Sequence, residues 1–305
     1  MIVRHSEGRH TVTTTRSLGR RMFEACNFIF LLLISFLCLM PIIHILAISF
    51  SSGAAAAAGK VALWPVDFTT AAYENVFGKP EYLRAFSVSV QRVILGTSLS
   101  MLLMIITAYP LSKDPRQFRL RTFYAWLFVF TILFSGGLIP SYLTVKSLGL
   151  IDTLWALVLP TAIPVFNVIL LLNFYRNLPK ELEESSRIDG AGYFTTLWKI
   201  YVPLSLPALA TTGLFTIVGH WNSWFDGMLY MNHTENYPLQ TFLQTVIIKM
   251  DFRFIKAENA ELMLKLSDRT SRAAQIFVAA FPILIVYPFL QRFFIKGIVM
   301  GSVKE

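Results

Sequence analysis

The chain has 305 residues, of which 55% are hydrophobic, 14% aromatic and only 15% charged, with a mean hydropathy of +0.57. A soluble domain carries about 25% charged residues, so the composition excludes an ordinary soluble enzyme or binding module and places the chain in a bilayer. The net charge of +9 does not signal nucleic acid, because the basic residues flank apolar runs in short segments, as residues that orient membrane spans do.

In chain order, residues 1–24 form a polar tail carrying Arg4, Arg9, Arg16, Arg20 and Arg21, and residues 25–85 a first span followed by an external segment. The first span, about 27–50, is too long for the apolar core of a signal peptide and reads as an uncleaved anchor. Cys26 and Cys38 both belong to this run, and twelve positions along one straight helix are too far apart for a disulfide. Five more apolar segments, at about 86–111, 122–140, 153–175, 204–225 and 273–295, are each long enough to cross about 30 Å of hydrocarbon. The predicted fold is an all-α polytopic membrane protein with six transmembrane helices. Lys113, Arg116, Arg119 and Arg121 crowd one short loop, which places that loop and both termini in the cytoplasm. The polar stretch 226–272 is then a long external loop and a candidate docking surface.

The stretch PKELEESSRIDGAGYFTTLWKIYVPLSLP, residues 179–207, is a long charged run between apolar segments. It reads as helix, turn, helix. Asn177 suits an N-cap and Pro179 a first turn, and Glu181, Glu183 and Glu184 favour the positive end of the helix dipole. Gly190 and Gly192 stop the first helix by taking left-handed angles. The second helix carries Tyr193, Phe194, Leu197, Trp198 and Tyr201 on one apolar face, with the threonines off it. By composition alone the pair is an amphipathic hairpin that could lie on the lipid surface.

The spacing says more. Glu184, Gly190, Ile200 and Pro203 resemble the EAA loop of the membrane subunits of binding-protein-dependent ABC importers: E-A-A, three residues, G, nine residues, I-x-L-P. Ser185 and Ser186 stand for the two alanines and Val202 for the leucine, while Asp189, Ala191 and Pro207 are similar to the carbohydrate-uptake branch. The resemblance implies a MetI-like permease core over 86–303, similar to the maltose transporter's second membrane subunit, with Glu184, Ser185, Ser186, Asp189, Gly190, Ala191, Ile200 and Pro203 forming the ATPase-coupling surface. It also implies a heterodimer with a second permease, two cytoplasmic ATPase subunits that bind Mg-ATP, and an extracytoplasmic solute-binding protein delivering a carbohydrate. The cell would be bacterial. This chain would hold no cofactor.

The remaining motifs are sparser. Gly53–Val61, GAAAAAGKV, has one residue too many between its glycines for a phosphate loop, and Val61 offers no hydroxyl to magnesium. ATP must therefore be hydrolysed elsewhere. Trp221, Asn222 and Trp224, in the run GHWNSW, read either as an aromatic belt at the interface or as a sugar path, since indoles stack on sugar rings and amides bond hydroxyls. His44 and Arg92 are titratable groups in or near spans and are functional suspects on that account. Pro160, Pro164, Pro282 and Pro288 mark kinks. The five histidines show no metal spacing and no nucleophile constellation occurs. An ion-coupled secondary transporter is the alternative, and would want an acidic residue mid-span; a non-sugar solute is the other.

The orientation is testable in a chain whose Cys26 and Cys38 are replaced by serine. The Gly59→Cys variant is expected to react with an impermeant thiol reagent in intact cells, and the Gly192→Cys variant only after the membrane is opened. Labelling at position 192 from outside would reverse the topology.

Overall fold

The computed structural model describes residues 18–245 and 269–302, with side chains described as far as residue 289. Among these residues the regular elements are all helical. In chain order they are α1 (Leu18–Ser49), α2 (Gly53–Ala57), α3 (Ala71–Phe77), α4 (Pro80–Ser112), α5 (Arg121–Leu133), α6 (Leu138–Ser147), α7 (Leu154–Val158), α8 (Val165–Arg176), α9 (Lys180–Ile188), α10 (Tyr193–Thr196), α11 (Val202–Leu204), α12 (Leu206–Asn222), α13 (Phe225–Tyr230), α14 (Leu239–Leu243) and α15 (Arg269–Ser302).

Three helices, α1, α4 and α15, are long and apolar enough to cross a membrane unbroken; three further candidate spans are bent pairs. The segment expected as a straight span over 122–140 breaks after Leu133 and turns by 114° into α6. Gly136 and Gly137 sit at that break, and Gly137 has φ +88°, an angle that costs other residues a clash between Cβ and backbone. The next pair bends by 46° between Thr161 and Val165; Pro164 falls in that break and Pro160 in the turn just before it, as the kink reading expected. The third bends by 82° around Ser205, between Pro203 and Pro207. By contrast Pro282 and Pro288 lie inside α15 without interrupting it.

At the centre is α4, which packs against α7, α8, α12 and α14. One core joins Met104, Ala108, Val168, Leu171, Leu197, Tyr201 and Leu209, all buried. A second joins Val76, Tyr82, Trp221, Leu239 and Ala274. The apolar face of α1 over Phe28–Met40 is largely exposed in the isolated chain, as suits a helix bathed in lipid; its far end packs on α15 and on α2. The alanine run that failed as a phosphate loop is a short helix, with the Ser52 hydroxyl capping the Ala55 N–H and Ala55 and Ala56 buried.

Within the stretch 226–272, expected as a long external loop, the described part packs onto the bundle. Leu239 and Thr241 are fully buried, and the Leu239 N–H donates to the Ser89 hydroxyl on α4 at 2.7 Å. Residues 225–245 thus cover the central helix; residues 246–268 lie outside the described residues.

Close packing makes one helix crossing intolerant of bulk. A Cβ at Gly96 on α4 would sit 2.5 Å from Nε2 of the His220 ring, and that ring is buried. Gly96→Val is expected to destabilise the chain by about 1–3 kcal/mol through overpacking, read as a lower unfolding midpoint in detergent. Gly219→Ala meets nothing within 4 Å and is expected to be neutral. Equal midpoints for both variants would contradict this crossing.

Candidate functional site

The hairpin forms as a tight two-helix unit at the C-terminal end of α4. The cap expected from Asn177 is not made: that residue ends α8, and Pro179 is the residue before α9, without a side-chain cap. The stop at Gly190 is made as expected. Gly190 has φ +79°, its N–H donates to the Arg187 carbonyl at 3.0 Å, and the Ala191 N–H donates to the Ser186 carbonyl at 2.9 Å, which together close the Schellman arrangement. Gly192 is extended, φ −75°, and begins α10 rather than ending α9.

The apolar face expected of the second helix is also rearranged, because the chain over Leu197–Tyr201 makes a π-turn that shifts the register of its side chains. Leu197 and Tyr201 are buried, but Tyr193, Phe194 and Trp198 are exposed, and Thr196 is buried instead. The Thr196 hydroxyl meets that of Ser186 at 3.1 Å, joining the two helices of the hairpin.

What anchors the hairpin to the bundle is Glu183. Its carboxylate accepts from Lys113 Nζ at 2.8 Å, from the Tyr201 hydroxyl at 2.9 Å and from Arg187 at 2.7 Å. Lys113, just past α4, also lies 3.9 Å from the Tyr109 ring centre and 4.2 Å from that of Tyr201, so its charge is held by a carboxylate and two aromatic faces. Burial raises the Glu183 pKa, but hydrogen bonds from Lys113 and Tyr201 and the charges of Lys113 and Arg187 outweigh it and hold the group below its ordinary value. Burial lowers the Lys113 pKa, against the pull of Glu183. Sequence reasoning gave Lys113 only an orienting role and Glu183 only a dipole role. The signal for their pairing is 70 residues apart in sequence.

The residues expected to couple to an ATPase differ in exposure. Glu184, Ser185, Asp189 and Gly190 are exposed, Ala191 and Ile200 half-buried, Pro203 exposed and Ser186 buried. Glu184 makes no ion pair among the described residues. Beside it Ile188 is 85% and Phe194 72% exposed.

A second polar centre lies further along α4. Arg92, 1% exposed, pairs with Asp226 on α13 and donates to the Ser223 carbonyl at 3.2 Å. Asp226 also accepts from the Ser223 hydroxyl at 2.8 Å and the Gly227 N–H at 2.9 Å. Arg92 thus fastens α13 to α4, whereas His44 lies apart, bonded to the Ala62 carbonyl at 2.6 Å. Trp221 is buried, its indole N–H donating to the Ala279 carbonyl at 2.9 Å and its ring edge-on to Phe86. Its faces are packed within this chain. Trp224 is partly exposed against Phe225, and Asn222 is exposed at the end of α12.

A family model described as the binding-protein-dependent transport system inner membrane component matches residues 12–300. The chain belongs to that family. This permease is 42% identical over 297 residues to Protein LplC of Bacillus subtilis, covering 97% of this chain and 98% of the relative. It is 41% identical over 287 residues to the polygalacturonan/rhamnogalacturonan transport system permease protein YtcP of the same organism, covering 94% and 100%. A chain from the crystal structure of a bacterial ABC transporter involved in the import of the acidic polysaccharide alginate superposes with a TM-score of 0.83 at 33% identity, covering 91% of this permease and 98% of that chain.

The Glu183 junction generates a pH-dependent expectation. Its pKa is lowered on folding, so its contribution is present above the ordinary carboxylate value and is lost as pH falls through the lowered one. Glu183→Gln is expected to cost about 3 kcal/mol near neutral pH, since it strands a buried ammonium. The gap in unfolding midpoint between variant and wild type should narrow as the medium is acidified below the usual carboxylate range. A gap independent of pH would exclude the charged pair.

Proposed function

We propose that this permease is one of two membrane subunits of an ABC importer for an oligosaccharide, and that its hairpin is the EAA element seated in a partner ATPase. The near full-length likeness to a permease named for polygalacturonan and rhamnogalacturonan transport carries the carbohydrate reading. It outweighs the ion-coupled alternative, because the half-buried acidic group Asp226 is bonded to Arg92, Ser223 and Gly227 and thereby committed to structure.

The geometry supports coupling in a definite way. Ile188, Tyr193 and Phe194 project from the hairpin, and large exposed apolar groups at a polar lip suit a cleft on a second protein. Glu184 beside them is free to pair with a base of that protein. Behind the lip, the Glu183–Lys113–Tyr201 junction ties the hairpin to the end of α4, so a push on α9 is delivered to the central helix as a rigid-body displacement. The hairpin, both termini and the 112–121 loop then face the cytoplasm of a bacterial cell, with a binding protein on the other side, a second permease as heterodimer partner and two ATPase subunits holding Mg-ATP.

Two measurements test this. The purified permease alone is expected to show no ATP hydrolysis, which should appear with the ATPase subunit and rise with the loaded binding protein; hydrolysis by the isolated chain would refute the assignment. A Cβ at Gly190 meets nothing within 4 Å among the described residues, so the fold leaves room at that position for a partner's backbone. Gly190→Asn, which tolerates the left-handed angle, and Gly190→Phe, which does not, should both insert in the membrane and lose ATPase co-purification at least several-fold. Full ATPase binding and uptake by Gly190→Phe would reduce the hairpin to a surface amphipath.

A further inference from the structure

A polar cavity of about 510 Å³ opens at the end of α4, between the 112–121 loop, the end of α8 and α9. Its charges are unequally matched. Asp114 pairs with Lys180, and Glu183 with Lys113 and Arg187, which leaves the guanidiniums of Arg121 and Arg176 without an ion pair among the described residues. Arg121 spends one N–H on the Lys113 carbonyl at 3.2 Å and Arg176 one on the Leu111 carbonyl at 3.2 Å, and each keeps further donors. The Arg121 Nε is buried with no acceptor among the described residues, and the charges of Arg121 and Arg176 repel one another. Glu184 shares the wall but carries a single charge and can offset only one of them. Arg116 and Arg119 stand exposed in the adjoining loop. Two like charges held together with unspent donors are both relieved by one shared anion.

An apolar pocket of about 360 Å³ adjoins this cavity, walled by Ile106, Pro110, Phe118 and Leu197, and Lys113 and Gln117 line both. A cationic pocket that runs into an apolar one matches an anionic amphiphile better than a free ion. We propose that Arg121 and Arg176 hold the phosphate of an anionic phospholipid of the cytoplasmic leaflet, with the start of an acyl chain in the apolar pocket. The inference rests on the cytoplasmic placement of the 112–121 loop, where basic residues meet a negative membrane surface. Guanidinium forks match the oxygens of a phosphate, whereas a zwitterionic headgroup brings its own cation towards the arginines and gains less. Because both arginines also grip the end of α4, a bound lipid braces the seat of the hairpin.

The test uses the full-length permease purified with its partner subunits in mixed micelles, otherwise free of cysteine and carrying a bimane label on Gln117→Cys. Quenching of the label is followed as brominated phosphatidylglycerol or brominated phosphatidylcholine is added. Phosphatidylglycerol is expected to quench saturably and at lower concentration. Arg121→Gln and Arg176→Gln should each raise its midpoint about fivefold, the weight of one basic residue at an anionic surface, and the double variant should no longer distinguish the two lipids. The comparison of lipids on unaltered arginines needs no variant and decides the matter if the glutamine variants fail to assemble. Equal quenching by both lipids, or unchanged quenching in assembled variants, would overturn the site. Displacement of phosphatidylglycerol by inorganic phosphate would overturn its lipid source and make it a site for free phosphate. Loss of ATPase co-purification with quenching unchanged would make the arginines a subunit contact instead. The importer reading stands under each of these results, since hydrolysis tests it separately. Reaction of Gln117→Cys with an impermeant thiol reagent in intact cells would overturn the orientation and this site together.

Discussion

One carboxylate holds the 179–207 hairpin of this permease to its helical frame. Glu183 is shared between the ammonium of Lys113, the phenol of Tyr201 and the guanidinium of Arg187, and two tyrosine rings cover the ammonium. Buried charges of this kind are costly to desolvate and are stable only when fully partnered. Because each partner comes from a different element, satisfying the charges also sets the angle at which α9 and the π-turn leave the end of α4. A hairpin held only by apolar contact could rock on its seat; one held by directed, short hydrogen bonds moves with the helix that anchors it.

The division of labour within the hairpin follows. Residues turned inward, Glu183, Ser186, Thr196, Leu197 and Tyr201, fasten it. Residues turned outward, Glu184, Ile188, Tyr193 and Phe194, leave a charge and apolar side chains exposed on its outer side. The π-turn makes this division possible: five residues in one wide turn bring Leu197 and Tyr201 to the bundle while leaving Trp198 partly outside. At the other centre, the Arg92–Asp226 pair does for α13 what Glu183 does for α9, so that α4 is fastened by one buried ion pair in each half.

The same central helix explains why bulk is excluded where it is. Gly96 admits the ring of His220 from α12, and Ser89 receives the backbone of α14. The wide polar stretch between the last two spans therefore is not free along its whole length: its first twenty residues are drawn onto α4 and bring Gln240 and Gln244 beside Asn222.

Composition, hydropathy and basic loops were sufficient to establish an all-helical membrane chain, and the EAA-like spacing was sufficient to single out residues 179–207, because both signals are local: each depends on residues within one span or one hairpin. Gly190 was legible for the same reason, since a left-handed stop is a property of a single residue. The junctions were not legible. Lys113 and Glu183, or Arg92 and Asp226, meet only after distant helices cross, and nothing in the neighbourhood of either residue announces its partner. The sharp breaks at 134–137 and at Ser205, the π-turn that moved Thr196 inward, and the burial of Trp221 likewise depend on which faces the other helices leave free. Period and propensity describe a helix alone in water or lipid; which of its side chains are charged, paired or hidden is decided by the helices packed against it.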